Sequence, residues 1–186
     1  MVQLSKHRVL IINDDGIHAT GIPLLEKIVR QFTENVVVPD EEKSGASHSI
    51  SMNIPVRVRE IDSRHFAIKG TPTDCALLAI YEIMKMRPTI LLSGINRGAN
   101  LAEDMTYSGT AAAGMEGALL GVPSVALSRL ELRSLPSTGV TRLPRYYEPL
   151  RHPSSRRAAK YLGKQRRNIR RSFWSACLLR NGSLAP

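Results

Sequence analysis

Two adjacent carboxylates, Asp14 and Asp15, follow the apolar run Val9–Ile12 and precede Gly16. No basic residue stands beside them in the sequence, so their charges repel each other, and a hard divalent cation is the usual remedy. Asn, Asp and Gly are also the common turn-forming residues, so a plain turn explains the same segment. The pair therefore predicts either a metal site or a turn, and by itself leaves both open.

A second chemical signal precedes a helix rich in small residues. Ser108, Gly109 and Thr110 lead into Ala111–Leu120, and a helix start offers free backbone N–H groups to an anion. The two hydroxyls add donors, which predicts a phosphate-sized anion site. Ser108 is also a good helix cap, a role that does not exclude anion binding.

Strands and helices must alternate to position these residues. Four consecutive aliphatic residues in Val9–Ile12 are typical of a strand buried on both faces of a parallel sheet. Open α/β folds bind ligands at the carboxyl ends of such strands. The sequence predicts an α/β fold with a mostly parallel three-layer (α/β/α) sheet and a β-hairpin excursion. Its predicted strands are 9–12, 36–38, 89–93 and 124–127, with a hairpin of 55–61 and 64–68.

The predicted helices are amphipathic or rich in small residues. The first has Leu24, Leu25, Ile28, Val29 and Phe32 on one apolar face, and the second, after the Thr71 cap, has Leu77, Leu78, Tyr81 and Met84. In the third helix, Gly114 and Gly117 stand among alanines. Because each glycine costs a helix roughly 1 kcal/mol, we expect this helix to pack very close to the sheet.

Charge divides the chain into two parts. Residues 1–128 hold 12 Lys and Arg against 14 Asp and Glu, whereas residues 129–186 hold 14 against only Glu131 and Glu148. We place a boundary at Ser128, with a core of 1–128 and a basic, non-native or disordered tail of 129–186.

Two cysteines make no disulfide framework, and no apolar run reaches the roughly 20 residues of a membrane span. We expect a reduced, cytoplasmic protein without a membrane partner.

Five ordered motifs of the core resemble the SurE family of survival-protein acid phosphatases, which are metal-dependent 5′-nucleotidases. They are the segments 13–19, 44–45, 70–75, 93–100 and 107–110, and the resemblance covers about residues 8–128. It implies a Rossmann-like sheet and a divalent cation, Mg²⁺ or Mn²⁺, held by Asp14, Asp15, Ser44 and Asn96. The implied substrates are nucleoside 5′-monophosphates, and sometimes 3′-monophosphates and short polyphosphate.

The resemblance also divides the site into roles. Asp14 and Asp15 are the expected catalytic residues, either of which could accept the proton of the attacking water. The expected phosphate-binding residues are Gly94, Asn96, Ser108, Gly109 and Thr110. His18 and His48 are left out, because lone loop histidines are more often solvated. Neither a P-loop nor a Gly-x-Gly-x-x-Gly pattern occurs, which argues against an NTPase or a dehydrogenase.

The tail leaves three hypotheses open. The family's longer C-terminal part builds a homodimer or tetramer, and nothing in 129–186 resembles that part, so this assembly is in doubt for this chain. The arginine pairs of 156–171, with Tyr161, Phe173 and Trp174, could form an RNA-binding arm. Alternatively the tail is read in a shifted frame, or the chain is a shortened core that binds metal or nucleotide but turns over poorly.

Overall fold

A seven-stranded, mostly parallel sheet forms the centre of the molecule. The computed structural model describes residues 7–30, 32–130 and 173–179. The strands are β1 (Arg8–Ile12), β2 (Thr33–Pro39), β3 (Val58–Glu60), β4 (His65–Ile68), β5 (Ile90–Arg97), β6 (Ser124–Leu130) and β7 (Phe173–Leu179). The helices are α1 (Gly21–Val29), α2 (Pro72–Leu78), α3 (Asp104–Tyr107) and α4 (Gly109–Leu119).

The strand that carries the two carboxylates lies in the middle of this sheet. The strand order is β3-β4-β2-β1-β5-β6-β7. The five strands from β4 to β6 pair in parallel, whereas β3 and β7 pair antiparallel with β4 and β6 at the two edges. The predicted hairpin is therefore part of the sheet, because its second strand, β4, pairs directly with β2.

Alternation along β1 produces the three predicted layers. Val9 and Ile11 belong to a buried cluster that includes residues of α1. Leu10 and Ile12 belong to a second cluster, which includes residues of α2 and α4. Since successive side chains of a strand point to opposite faces, the sheet lies between α1 on one side and α2 with α4 on the other. The predicted α/β/α fold is confirmed.

Two predicted core positions are wrong. Leu24 is 41% exposed, because α1 buries its Ile22, Leu25 and Val29 face instead. Tyr81 is 65% exposed. After Leu78 the α2 helix continues as a π-helical turn, with Met84 N–H bonding the Ala79 carbonyl at 3.0 Å. The helix buries the face that carries Cys75, Ala76 and Ile80, so Tyr81 faces outward.

The close packing predicted for the small-residue helix is confirmed. A Cβ atom on Gly117 would lie 2.5 Å from the Ser124 hydroxyl oxygen and 2.6 Å from a Leu91 methyl group. Helix α4 therefore rests directly on β5 and β6, and any larger residue at this point would push it away from the sheet. This contact sets how closely the last turns of α4 lie on the sheet.

The residues after Ser128 are described only in part. Strand β6 runs through Ser128 to Leu130, and β7 lies beside it in a register from Ser124–Leu179 to Leu130–Phe173. The other residues of the predicted tail lie outside the described residues, so the boundary at Ser128 stays a prediction. Within the described ranges, no helix is long and apolar enough to cross a membrane.

Candidate active site

Asp14 is a buried carboxylate placed between the end of β1 and the start of α4. Its side chain is only 3% exposed. One carboxylate oxygen accepts a 2.5 Å hydrogen bond from the Thr110 hydroxyl, and the other accepts a 3.0 Å bond from the Thr110 backbone N–H. Burial raises the pKa of Asp14 and the charge of Asp15 raises it further, while the Thr110 hydroxyl lowers it. The first turn of α4 thus stabilises a carboxylate that burial disfavours.

Gly109 lets the helix start approach Asp14 this closely. A Cβ atom at Gly109 would lie 2.9 Å from the Asp14 Cβ and 2.9 Å from Pro72 Cγ. Non-bonded carbon atoms do not approach each other this closely, so a side chain at position 109 would force the start of α4 away from Asp14 and Pro72. The glycine predicted to bind phosphate is therefore also required for the contact between α4 and the end of β1.

Asp15 lies beside Arg97, the last residue of β5. Its Oδ2 accepts a 3.1 Å hydrogen bond from the backbone N–H of Arg97. Partial burial raises the pKa of Asp15, while the Arg97 N–H and guanidinium lower it. No donor among the described residues reaches the other carboxylate oxygen, so that oxygen is available to a ligand.

The loop that carries Ser44 is attached to Asp14 and lies against Gly16. The Lys43 N–H donates a 2.7 Å hydrogen bond to the Asp14 carbonyl, and the Gly16 backbone lies against Glu41 and Glu42. The Ser44 hydroxyl itself donates to Glu42 Oε1 at 2.8 Å, which leaves its lone pairs available. The structure therefore brings the Ser44 loop to the end of β1.

Asn96 and Gly94 lie within β5, which extends past the predicted 89–93. Asn96 is 9% exposed, and its Nδ2 donates to the Gly98 carbonyl at 3.0 Å. Its amide oxygen accepts no hydrogen bond within the described part of the chain. Gly94 has a φ of +130°, and a Cβ there would lie 2.3 Å from the Leu127 carbonyl oxygen, so only glycine fits.

Ser108 caps α4, as the sequence analysis predicts. Its hydroxyl oxygen accepts a 3.0 Å hydrogen bond from the Ala111 N–H. The O–H group of Ser108 has no acceptor among the described residues and can still donate to an anion. Thr110 differs, because both its hydroxyl and its N–H already donate to Asp14.

The amino-acid sequence of this chain matches a known protein family. Residues 9–161 match the family described as "Survival protein SurE". The chain belongs to the SurE family. This match extends past Ser128, farther along the chain than the resemblance over 8–128 predicted from the motifs.

Curated SurE relatives are about 50% identical to this chain over the 124 residues that align. The 5′-nucleotidase SurE of Brucella anthropi is 51% identical over 124 residues, which are 66% of this chain and 48% of that protein. The 5′-nucleotidase SurE of Mesorhizobium japonicum is 51% identical over 124 residues, covering 66% and 49%. This chain thus spans about half the length of the curated relatives it matches.

A solved SurE structure has the same fold. The SurE protein from Aquifex aeolicus superposes with a TM-score of 0.67 at 26% sequence identity, covering 96% of this chain and 85% of that one. The Rossmann-like α/β/α architecture is therefore shared with a SurE protein of known structure.

The donor set fits a hard divalent cation. The SurE-type residues Asp14, Asp15, Ser44 and Asn96 offer oxygen only, which Mg²⁺ and Mn²⁺ prefer. Burial raises the pKa of both adjacent carboxylates, so a bound cation would stabilise their ionised forms. Within the described residues, no group of three or more His, Cys, Asp or Glu side chains could hold a metal. A cation here would depend on the serine and asparagine oxygens as well.

Sequence reasoning missed a hydrogen bond between the loop that carries Ser44 and α4. His48 is paired with Glu116, with 2.7 Å between Nε2 and Oε2, so it is not merely solvated. A glutamate inside a helix of alanines and glycines was the available signal, because a buried carboxylate needs a partner. His18 is exposed and lines a groove of about 310 Å³ between α1 and the hairpin, which none of the predicted site residues lines.

Proposed function

We propose that this chain is a divalent-cation-dependent phosphomonoesterase that hydrolyses nucleoside 5′-monophosphates to nucleoside and phosphate. The observation that supports this most is the Asp14–Asp15 pair, held at the end of the central strand by α4 and β5. The curated SurE relatives carry the name 5′-nucleotidase. We include 3′-monophosphates and short polyphosphate as secondary substrates.

In this proposal Asp14, Asp15, Ser44 and Asn96 hold Mg²⁺ or Mn²⁺. A bound cation would neutralise phosphoryl oxygens and make a water molecule more acidic. Phosphate-monoester hydrolysis is among the slowest reactions in water, so both effects are needed. The two aspartates are held in place by the surrounding backbone. Lys43 and Thr110 donate hydrogen bonds to Asp14, and Arg97 donates one to Asp15.

The phosphate would lie at the start of α4. The Ser108 O–H remains available as a donor, and the first turn of a helix adds N–H groups and a favourable dipole. Gly94, Asn96, Gly109 and Thr110 complete the proposed phosphate site. Because Thr110 already donates to Asp14, its main contribution would be to hold that carboxylate.

Asp15 is the better proton acceptor of the two catalytic aspartates. Both Asp14 oxygens accept from Thr110, whereas Asp15 keeps one oxygen without a donor among the described residues. Burial raises the pKa of both carboxyls, so the oxygen without a donor, and not the pKa, distinguishes Asp15 from Asp14. Asp14 then remains the fixed ligand.

Two alternatives have their own observations. The first alternative is a core that binds cation and nucleotide but turns over poorly, and the chain spans about half the length of its curated relatives. The 14 Lys and Arg residues of 129–186 favour a core with an RNA-binding tail. We also propose a cytoplasmic location and no membrane partner.

Phosphate release from a panel of nucleoside monophosphates, with and without Mn²⁺ or Mg²⁺, tests the proposal. We expect cation-dependent release that Asp14→Asn and Asp15→Asn both abolish. Cation-dependent nucleotide binding without release would favour the impaired core. Release that is unchanged in the Asp15→Asn protein would reject the site.

A further inference from the structure

The Ser44 loop, defined as residues 41–51, is tied to the rest of the fold on both sides of Ser44. Before Ser44, the Lys43 N–H bonds the Asp14 carbonyl at 2.7 Å. After it, the Ser47 N–H bonds the Tyr107 carbonyl at 3.1 Å, and His48 pairs with Glu116 at 2.7 Å. The loop then joins α2, through Ser49 with Thr71 and Ser51 with Asp74.

Glu116 has an unusual position for a carboxylate. It is 7% exposed and lies in α4, whose other buried residues are glycine, alanine and threonine. Within the described residues its side chain has one polar partner, the His48 ring. Since a carboxylate is costly to bury without a partner, the helix holds His48 at one point.

The backbone between Ser44 and His48 is sharply turned. Gly45 has a φ of +75° and Ser47 a φ of +53°. A left-handed conformation is uncommon for a residue with a side chain, and it persists where surrounding contacts hold it. Four residues of chain reach at most about 14 Å, so the place where His48 is anchored limits where the Ser44 hydroxyl can lie.

We propose that Glu116 and His48 are positioning residues, which hold the Ser44 loop so that Ser44 can bind the cation together with Asp14 and Asp15. This inference rests on the proposed cation site. Neither residue needs to contact the cation or the substrate. Helix α4 would then fix two sides of the site, Asp14 through Thr110 and Ser44 through Glu116 and His48.

Mn²⁺ binding and amide hydrogen exchange of the full chain test this role. We expect His48→Ala and Glu116→Ala to weaken Mn²⁺ binding about 10- to 100-fold, as is typical when a residue behind a metal ligand is lost. The amides of Lys43, Ala46 and Ser47 should exchange at least about tenfold faster, because their hydrogen bonds depend on the loop's position. His48→Gln should restore most of both properties, since its amide nitrogen can replace Nε2.

His65→Ala is the matched control. His65 also bonds carboxylates through its ring, Glu26 at 2.8 Å and Asp62 at 2.9 Å, but it ties α1 to the hairpin. We expect this variant to lose stability and keep the wild-type Kd for Mn²⁺. Equal weakening in the His65→Ala protein would show a general stability effect and overturn the positioning role.

The remaining outcomes separate this inference from the proposed function. A wild-type chain that binds Mn²⁺, with His48→Ala and Glu116→Ala variants that bind it equally well, overturns the positioning role alone. A wild-type chain that binds Mn²⁺ no better than Asp15→Asn overturns the cation site itself. Unchanged exchange of the three loop amides in both variants would reject the positioning role whatever the cation does.

Discussion

Thr110 directs both of its hydrogen-bond donors at one buried carboxylate, Asp14. The Thr110→Val variant removes the hydroxyl and keeps the shape. A hydrogen bond to a charged group contributes roughly 1.5–3 kcal/mol, so we expect the free energy of unfolding at pH 7 to fall by about that amount. Urea denaturation of Thr110→Val and of Thr110→Ser, which keeps the hydroxyl, measures the difference.

The pH dependence of this effect has a definite sign. The pKa of Asp14 in the folded protein is raised above its ordinary value of 3.8, so its ionisation costs stability as the pH rises above 3.8. Removing a group that lowers this pKa increases the cost. The loss of unfolding free energy in the Thr110→Val variant should therefore be larger at pH 7 than at pH 4.5. An equal loss at both pH values would contradict the role of the Asp14 charge.

Asp15 should destabilise the cation-free protein. Its folded pKa is also raised, mainly by burial, so its ionised form opposes folding above pH 3.8. We expect Asp15→Asn to raise the Tm of the EDTA-treated protein at pH 7.5, with a smaller gain at pH 4.5. Mn²⁺ should then raise the Tm of the wild type but not of the variant, because only the wild type binds it.

An Asp15→Asn protein that is less stable than the wild type without cation would contradict this prediction. It would mean that the Arg97 N–H bond to Asp15 outweighs the cost of burial. Thermal unfolding at the two pH values distinguishes the cases. Lost stability at functional carboxylates is the usual consequence of building an active site.

At the scale of elements, substitutions at two glycines of α4 can distinguish an effect on helix packing from an effect on the cation site. Gly109→Ala would place a Cβ 2.9 Å from the Asp14 Cβ, whereas Gly117→Ala would meet Ser124 and Leu91, at the far end of the helix. Both should lower the free energy of unfolding, by about 1–3 kcal/mol for an overpacked contact. Only Gly109→Ala should also weaken Mn²⁺ binding, as measured by titration calorimetry.

Gly117→Ala serves as the control in that comparison. If both variants bind Mn²⁺ as the wild type does, the start of α4 can move without disturbing Asp14. If both lose binding, the whole helix must sit at its native height for the site to form.

Elements with strong local signals were the ones that the sequence predicted. The Thr71 cap, with Pro72 and Asp74, forms the full capping box, and the aliphatic run of β1 is the central strand. The wrong positions have a common cause, which is geometry that the residue pattern does not carry. In both α1 and α2 the face that packs on the sheet is not the predicted one, which leaves Leu24 and Tyr81 exposed.

The candidate site shows the same division. Motif order predicted which segments meet, and the hydrogen bonds of Lys43, Arg97 and Thr110 join those segments. Sequence alone did not predict which atoms Thr110 would contact. Nor did it pair His48 with Glu116, residues 68 positions apart, because such contacts arise only when the helix and the loop are packed together.

At the scale of the whole molecule, the sheet continues into the basic part of the chain. Strand β7 covers the edge of β6 through seven paired residues. Val125 and Leu127 of β6 are buried. Deleting residues 131–186 would uncover that edge, and uncovered edge strands promote association. The charge of the tail is therefore better tested by substitution than by deletion.

Replacing the paired arginines with serine removes charge and retains β7. The variant changes six residues, Arg156, Arg157, Arg166, Arg167, Arg170 and Arg171. We expect the wild type to bind single-stranded RNA of mixed sequence weakly, with log affinity falling against log salt by about 0.7 for each phosphate neutralised. The variant lacks six of the 14 Lys and Arg residues of 129–186, so it should lose a little under half of this slope. Its hydrolysis of nucleoside monophosphates should match the wild type, because residues 1–128 carry a net charge of −2 and contain every proposed site residue.

Fluorescence anisotropy at 50 and 200 mM salt, on several RNAs, gives the decisive comparison. A polycation binds any polyanion, so equal affinity for all of the RNAs would mean that the arginines attract phosphate without recognising sequence. A clear preference of the wild type for one RNA, lost in the variant, would contradict that expectation and favour a functional RNA-binding arm. Lost nucleotide hydrolysis in the variant would instead indicate that these arginines contribute to substrate binding or turnover at the phosphate site.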